Sequence, residues 1–426
     1  NNAGQPAYAG IDILRESDDQ LRVLIDICHV YGIAVLFDVV YNHAGGGFDD
    51  SSMYFFDRMP QGDNNDSLYF TNMGWAGGLV FAYWNNEVRQ FLIDNARLLY
   101  DEYRIDGFRF DEVSVMDRFG GWQTCQDITD TLRAERPQNI QIAEYWPVND
   151  YVVKSTAAGG AGFDATWNDS LRNAIRSALG AASAGASASI SMDDLAGAIQ
   201  NQGLENRWRA VQSVEDHDRV HVGQDLRIAK LADRSDSRSW YARSRCRVAM
   251  GLVMTAPGIP MIFMGQEFLE DKQWNDNTDP ANLIYWAGLD SGDKAMSDFL
   301  RFTRELIGLR RRQPALRGEG CQVTHVHNGN RVLAFQRWVE GAGRDVMVVL
   351  TLAESTWYDY QIGFPGGGHW LEVFNSDIYD NWVNPIGAGN GGGIDANGPP
   401  MHGLPNSASV TIPANGIVIF ARDSGN

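Results

Sequence analysis

Six short apolar runs alternate with helical patterns over the first three quarters of the chain, and four of these runs lead into charged residues. The strand-like runs are IAVLFDVV (33–40), IDGFRFD (105–111), NIQIAEY (139–145), 163–167, RAVQSVEDHD (209–218) and APGIPMIFMGQEF (256–268). Amphipathic patterns such as NNEVRQFLIDNARLLYDEY (85–103) separate them. Strands that alternate with helices in this way are typical of a parallel α/β sheet, either a barrel or a doubly wound sheet.

The pattern changes after Pro314, where short alternating runs replace the helices. The runs RVLAFQRWV (331–339), VMVVLTL (346–352) and SVTIPANGIVIFAR (409–422) are separated by clusters of Gly, Pro and Asn. Such runs indicate an all-β domain, and a sandwich is the expected form. We therefore predict a (β/α) domain over residues 1–314, with a long loop at 44–82, and an all-β C-terminal domain over residues 315–426.

Charge and cysteine usage narrow the class of partner and compartment. The chain has 54 acidic and 35 basic residues, a formal net charge of −19. This balance argues against nucleic acid and anionic membranes as partners. No apolar run reaches the roughly 20 residues of a membrane span. Four widely spaced cysteines predict buried free thiols and no zinc site, which fits the cytoplasm, although a mature secreted protein would look the same.

Polar side chains follow four of the predicted strands, at the point where each strand ends. The carboxyl ends of parallel strands meet at one rim of a barrel, so these groups are expected to share a pocket. They are Asp38 with Asn42 and His43, Arg109 with Asp111, Glu144, and His217 with Asp218. Paired carboxylates with neighbouring cationic and imidazole groups suit the cleavage of glycosidic bonds.

Each of these residues also has a simpler interpretation. Asp38 could cap the following turn, and His43 could be an ordinary hydrogen-bonding residue. Arg109 and Asp111 could form a surface ion pair on an edge strand. The carboxylates that flank His217 could bind a metal, but no matching second half of a metal motif lies nearby. A metal-dependent hydrolase that uses Asp38, His43, His217 and Asp218 would show activity sensitive to chelators.

Four segments resemble the four ordered motifs of the α-amylase superfamily, glycoside hydrolase family 13. They are DVVYNH (38–43), GFRFDEVSVM (107–116), IAEYW (142–146) and VEDHD (214–218). The resemblance implies a (β/α)8 TIM-type barrel followed by a C-terminal β-sandwich. It implies that Asp111 is the nucleophile, Glu144 the general acid/base, and Asp218 the carboxylate that binds substrate hydroxyls and stabilises the transition state.

The same resemblance places Arg109, His43, His217 and Asp38 around the sugar at the cleaved bond. It implies no cofactor. Asn42 matches a calcium-binding position of many amylases, but branching enzymes generally lack that site, and we assign no metal ligand. The segments HDRVHVGQDLRIAKL (217–231) and EVFNSD (372–377) are more similar to 1,4-α-glucan branching enzymes than to ordinary amylases.

The activity implied is retaining cleavage of an α-1,4-glucosidic bond through a covalent glucosyl-Asp intermediate. The substrate would be an α-glucan polysaccharide or maltooligosaccharide, and the chain would be transferred to a 6-hydroxyl. Two alternatives remain open: α-amylase-type hydrolysis, and a non-catalytic carbohydrate-binding homologue.

One departure from the family pattern concerns the N-terminal side of the barrel. The family's barrel has eight strands, two of which precede the DVVYNH strand, whereas only about thirty residues precede it here. An open six-stranded sheet would leave two edges exposed. We therefore expect a separate N-terminal segment to complete the barrel, as another chain, a cleaved fragment or further sequence.

Overall fold

Two units make up the computed structural model, residues 1–167 and residues 168–426. It describes residues 17–44, 67–200, 203–277 and 279–425. The first unit runs through α1 (Ser17–Val30), β1 (Leu36–Val39), β2 (His43–Ala44), β3 (Phe70–Trp75), β4 (Gly78–Phe81), α2 (Asn86–Tyr103), β5 (Gly107–Phe110), α3 (Val113–Arg118), α4 (Trp122–Glu135), β6 (Ile140–Ala143) and β7 (Ala165–Asn168).

Four parallel strands form the main sheet of the first unit, in the order β1-β5-β6-β7. Asp38 on β1 pairs with Arg109 on β5, and Arg109 pairs with Ile142 on β6. Gly107 permits the close approach of β5 to β6, because an added Cβ would lie 2.1 Å from the carbonyl oxygen of Ile140. The strand ends predicted from the sequence therefore lie side by side.

Helix α2 leads directly into β5 because its ends are well defined. The Asn85 side chain accepts a hydrogen bond from the N–H of Glu87, which caps the first turn. Arg104 stops the helix with a left-handed backbone, φ 57°, and its N–H bonds to the carbonyl of Tyr100. Tyr100 packs edge-on against Phe108 with ring centroids 4.8 Å apart, so the helix covers the buried face of β5.

The predicted loop 44–82 contains a small antiparallel sheet in its described part. Strands β2, β4 and β3 pair in that order, and β3 and β4 form a hairpin. Residues 45–66 of this loop, and the first 16 residues of the chain, lie outside the described residues.

The second unit begins with helices and one parallel strand pair. Its helices are α5 (Ser170–Ala182), α6 (Met192–Gln200), α7 (Ile228–Ala232), α8 (Trp240–Thr255), α9 (Trp286–Asp290), α10 (Lys294–Arg312) and α11 (Pro314–Arg317). Strands β8 (Ala210–Gln212) and β9 (Ile259–Pro260) are parallel. The β9 strand is much shorter than the apolar run 256–268 suggested, because only Ile259 and Pro260 of that run pair with β8.

The rest of the second unit is antiparallel. Six strands pair in the order β10-β11-β12-β17-β14-β15, and β13 pairs with β16. Their bounds are β10 (Gly320–His327), β11 (Val332–Trp338), β12 (Val346–Thr351), β13 (Trp357–Phe364), β14 (His369–Asn375), β15 (Gly393–Asp395), β16 (Asn406–Ile412) and β17 (Ile417–Ala421). The domain boundary placed at 314/315 stays a prediction.

Strand β12 shows why this region reads as continuously apolar. Val346, Val348 and Leu350 belong to a core shared with helices α5, α6, α8 and α10, whereas Met347 and Val349 belong to a second core that includes residues of β13 and β16. Both faces of the strand are therefore buried, and an alternating polar pattern is not needed.

Two findings concern the predicted compartment and membrane. All four cysteines are free, with Cys28 on α1 and Cys246 on α8, as predicted. Three of them are buried as expected, whereas Cys28 is only partly buried. Among the described helices, none combines the length and apolar character required to cross a bilayer.

Candidate active site

Strand β5 buries all four of its residues, including the charged Arg109. Its aromatic side chains Phe108 and Phe110 pack against neighbouring rings, and Phe110 lies 5.3 Å from the ring centroid of Phe163. A guanidinium on such a strand must be paired, because burial of an isolated charge is very costly. The pairing defines the candidate site.

The Arg109 guanidinium binds three carboxylates from three strand ends. Its Nη1 lies 2.7 Å from Oδ1 of Asp38 and 2.7 Å from Oδ1 of Asp111. Its Nη2 lies 2.5 Å from Oε2 of Glu144. The Trp167 ring lies 4.4 Å from Cζ of Arg109, which supports the cation on its face.

Glu144 is the most deeply buried of the three carboxylates. Its side chain is 7% exposed, compared with 21% for Asp111 and 52% for Asp38. Besides Arg109, it accepts hydrogen bonds from the Glu112 N–H at 3.1 Å and from the Trp146 indole N–H at 3.0 Å. Burial raises the pKa of Glu144, and the Arg109 charge and the two hydrogen bonds offset only part of that increase.

Arg109 remains a cation in this setting. Burial alone would lower its pKa, but the charges of Glu144 and Asp38 outweigh burial and raise it. One cation faces three carboxylates, so complete ionisation would leave two net negative charges in the site. Protonation of the most buried carboxylate, Glu144, relieves this repulsion.

Asp111 is held by Asn42 from the end of β1. The Asn42 amide nitrogen donates to the Asp111 carbonyl at 2.8 Å and to its Oδ2 at 2.9 Å. His43 contacts the amide oxygen of Asn42 through its Nδ1, which orients that amide. Sequence reasoning put His43 at the substrate and placed Asn42 in the same strand-end cluster without a role in catalysis. The structure makes Asn42 a direct partner of Asp111.

His217 and Asp218 lie in the second unit, in the turn after β8. The His217 Nε2 is 3.5 Å from Oδ1 of Asp218, and their side chains are 40% and 63% exposed. The preceding Asp216 is buried and accepts from Arg172 at 2.6 Å and from the Arg219 N–H at 2.9 Å. Asp216 therefore has a structural role, and it fixes the turn that presents Asp218.

Among the described residues, no group of three or more His, Cys, Asp or Glu side chains is arranged to hold a metal ion.

Three further residues complete the site, and sequence reasoning did not assign them a role. They are Trp146, Trp167 and Glu112, which contact Glu144 or Arg109 directly. Two of them lie inside the quoted motifs IAEYW and GFRFDEVSVM, so the signal was adjacency to a predicted strand end. Trp167 is itself the end of a predicted strand.

Comparisons with known proteins agree with this architecture. Residues 323–423 match the family described as "Alpha amylase, C-terminal all-beta domain". The 1,4-alpha-glucan branching enzyme GlgB of Burkholderia thailandensis is 28% identical, over 98% of this chain and 52% of its own length. The GlgB of Mycolicibacterium paratuberculosis is 29% identical, over 93% of this chain and 55% of its own.

Solved structures show the same fold. An α-amylase from Geobacillus thermoleovorans, complexed with acarbose, matches 95% of this chain and 81% of its own with a TM-score of 0.67 at 18% identity. A pullulanase from Bacillus acidopullulyticus matches 95% of this chain and 48% of its own with a TM-score of 0.66 at 21% identity. The predicted fold class, a truncated TIM-type barrel followed by an all-β sandwich domain, is confirmed.

The chain spans about half the length of the curated relatives it matches. Together, these similarities confirm the predicted resemblance to glycoside hydrolase family 13, with 1,4-α-glucan branching enzymes among its relatives. The expectation of a separate N-terminal segment stays a prediction.

Proposed function

We propose, from this similarity to the α-amylase superfamily, that the protein cleaves α-1,4-glucosidic bonds and transfers the released chain to a 6-hydroxyl of another glucan. The observation that carries the proposal is the single Arg109 guanidinium that binds both Asp111 and Glu144. Retaining glycosidases require two carboxyl groups roughly 5–5.5 Å apart. Two carboxylates that bind the same guanidinium lie near each other, and this proximity supports the proposal.

Asp111 is the nucleophile in this proposal. Its carboxylate is fixed by Arg109 and Asn42, yet it is three times as exposed as Glu144, so a sugar can reach it. One of its oxygens forms a bond to the anomeric carbon while the bond to the departing glycosidic oxygen breaks. The product is a covalent glucosyl-Asp intermediate with inverted configuration.

Glu144 supplies the proton to the departing oxygen. Its raised pKa favours the protonated form that this step needs, since an ordinary carboxyl would be ionised near neutrality. In the second step the ionised Glu144 removes the proton from the acceptor hydroxyl. That oxygen attacks the anomeric carbon, Asp111 leaves, and the original configuration is restored.

The remaining predicted residues are proposed to bind the sugar at the cleaved bond. Asp218 binds hydroxyl groups and stabilises the positive charge of the transition state, with His217 and His43 as further hydrogen-bonding groups. Asp38 reaches the site through Arg109 and has mainly a structural role. The substrate is an α-glucan polysaccharide or maltooligosaccharide, and nucleic acid and membranes are not proposed as partners. A cytoplasmic location is likewise kept as a proposal.

The test is incubation of the protein with amylose, followed by proton NMR of the anomeric region. New α-1,6 signals support transfer. New reducing ends without α-1,6 signals would show that the protein hydrolyses the glucan and does not transfer it. Binding of amylose without either product would make the protein a non-catalytic homologue.

Two variants make this experiment specific. Asp111→Asn is expected to remove turnover and retain the fold. Asp101→Asn, an exposed carboxylate on α2, is the matched control and is expected to keep full activity. Turnover by Asp111→Asn at the rate of the control would contradict the assignment of the nucleophile.

A further inference from the structure

The residue after Asp111 has an unusual backbone. Glu112 adopts the left-handed region, with φ 34° and ψ 55°, directly before helix α3. A non-glycine residue in this region costs on the order of 1–2 kcal/mol, and such a cost persists only where the surroundings impose it. The contacts of Glu112 with neighbouring residues show what this backbone conformation makes possible.

The chain reversal at Glu112 directs two successive N–H groups to Glu144. The Glu112 N–H donates to Glu144 Oε2 at 3.1 Å, and the Val113 N–H donates to the Glu144 carbonyl at 2.7 Å. The first N–H groups of a helix have no acceptor within the helix. The start of α3 therefore holds both the backbone and the side chain of Glu144.

The Glu112 side chain is held from the other direction by the β3–β4 hairpin. Its carboxylate accepts a hydrogen bond from the indole N–H of Trp75, the last residue of β3. Strand β4 of the same hairpin pairs with β2, which starts at His43 directly after Asn42. The hairpin is thus linked to both residues of the candidate catalytic pair, to Glu144 through Glu112 and to Asp111 through the segment that contains Asn42.

We propose that Glu112 is a positioning residue for Glu144, and that Trp75 holds Glu112 in the left-handed conformation which this task requires. The inference rests on the proposed function for the role of Glu144 as proton donor. It adds that the hairpin at residues 70–81 controls how readily that proton is given up.

The charged and polar groups that face Glu144 allow the direction of the effect to be worked out. Arg109 and Asp111 face it from the β5 side, and Trp146 faces it from its own loop. Loss of the Glu112 N–H removes one donor from the ionised form, so the pKa of Glu144 rises further. A hydrogen bond of roughly 0.5–1.5 kcal/mol corresponds to a shift of about 0.4–1 pH unit.

The experiment compares two substitutions at one position. Glu112→Val places a β-branched residue in a region it disfavours, and is expected to move the alkaline limb of kcat/KM up by about 0.4–1 unit. Glu112→Gly keeps the N–H and adopts the left-handed backbone without help from a side chain, so its limb is expected to match the wild type.

The role of Trp75 is tested in the same series. Trp75→Phe is expected to shift the limb in the direction of Glu112→Val in the wild-type background, and to have no effect on the limb in the Glu112→Gly background. Asp359→Val is the control for strain alone, because Asp359 is also left-handed, with φ 53°, and lies in the second unit. It is expected to lower stability without moving the limb.

A readout independent of turnover separates this inference from the proposed function. Carbon-13 NMR of protein labelled at glutamate carboxyl carbons, assigned with Glu144→Gln, reports the titration of Glu144 directly. The expected shift in Glu112→Val and Trp75→Phe supports the positioning role, even if no glucan is cleaved. An unchanged titration in both variants overturns it, even if the enzyme is active.

Discussion

Replacement of Arg109 by methionine is the most demanding test of the site, because one guanidinium serves three carboxylates. Methionine fits an apolar strand environment and removes the charge. The contribution of Asp38 is at most about 1 kcal/mol, since its side chain is 52% exposed and solvent screens the pair. The pair with Glu144 is buried on both sides, and removing one partner of such a pair costs about 3–5 kcal/mol.

The loss of unfolding free energy in Arg109→Met depends on pH. Burial raises the pKa of Glu144 and Arg109 lowers it, so the variant raises it further. A carboxyl whose folded pKa exceeds the unfolded value of about 4.3 contributes stability below that pH and loses it as pH rises through the folded pKa. The destabilisation by Arg109→Met is therefore smallest near pH 4 and increases towards neutrality, by up to about 1.4 kcal/mol per pH unit for one carboxyl.

The assay is urea denaturation read by hydrogen exchange of a peptide covering residues 105–116, which reports on the first unit. Arg136→Met is the matched control, because Arg136 pairs with Asp101 at 2.8 Å but both side chains are exposed. We expect at most about 1 kcal/mol and no pH trend for this control. A flat or inverted pH trend for Arg109→Met would refute the conclusion that Arg109 stabilises the ionised form of a Glu144 side chain that burial alone would keep neutral.

Three further predictions concern neighbouring groups. Asn42→Ala is expected to cost about 1–3 kcal/mol in unfolding free energy and to reduce kcat, because Asp111 loses a buried hydrogen-bond donor. Urea titration and kinetics on amylose check this prediction, and an unchanged kcat would contradict it. Trp146→Phe removes an N–H donor from Glu144, so the alkaline limb of kcat/KM should move up, and a downward shift would be inconsistent with this contact. Burial and two nearby histidines lower the pKa of His325 to about 4. Its contribution to stability is therefore present above pH 6.5 and lost as pH falls towards 4. After discounting for its partial exposure, His325→Phe should remove about 1–2 kcal/mol of that pH dependence in thermal melts, and an unaltered pH profile would argue against it.

The sequence was informative about the strand ends because the parallel arrangement converts distant positions into neighbours. Alternation along IDGFRFD placed Arg109 and Asp111 together, and the structure brings Asp38 and Glu144 to the same guanidinium. The roles assigned to these residues remain proposals. The pairing of each Arg109 nitrogen with a particular carboxylate was not predictable, because it depends on the register between β1, β5 and β6.

The missed residues show the limit of reasoning from pattern. Asn42 in DVVYNH carries no periodic signal that distinguishes an amide bound to Asp111 from one bound to a metal. The left-handed backbone at Glu112 has no sequence marker, because glutamate rarely adopts it and no glycine or asparagine announces it. The shortness of β9 has a similar cause, since an apolar run does not reveal whether its residues pair with a neighbouring strand.

Strand β12 also matters for anyone who wishes to shorten this protein. Its residues Val346, Val348 and Leu350 share one core with helices that precede Pro314, so a chain cut at that proline would expose the apolar faces of α6, α8 and α10 to water. Exposed apolar patches of that kind promote aggregation. Expression of the second unit should therefore keep its helices and strands in one polypeptide, and engineered fusions belong at its termini rather than within it.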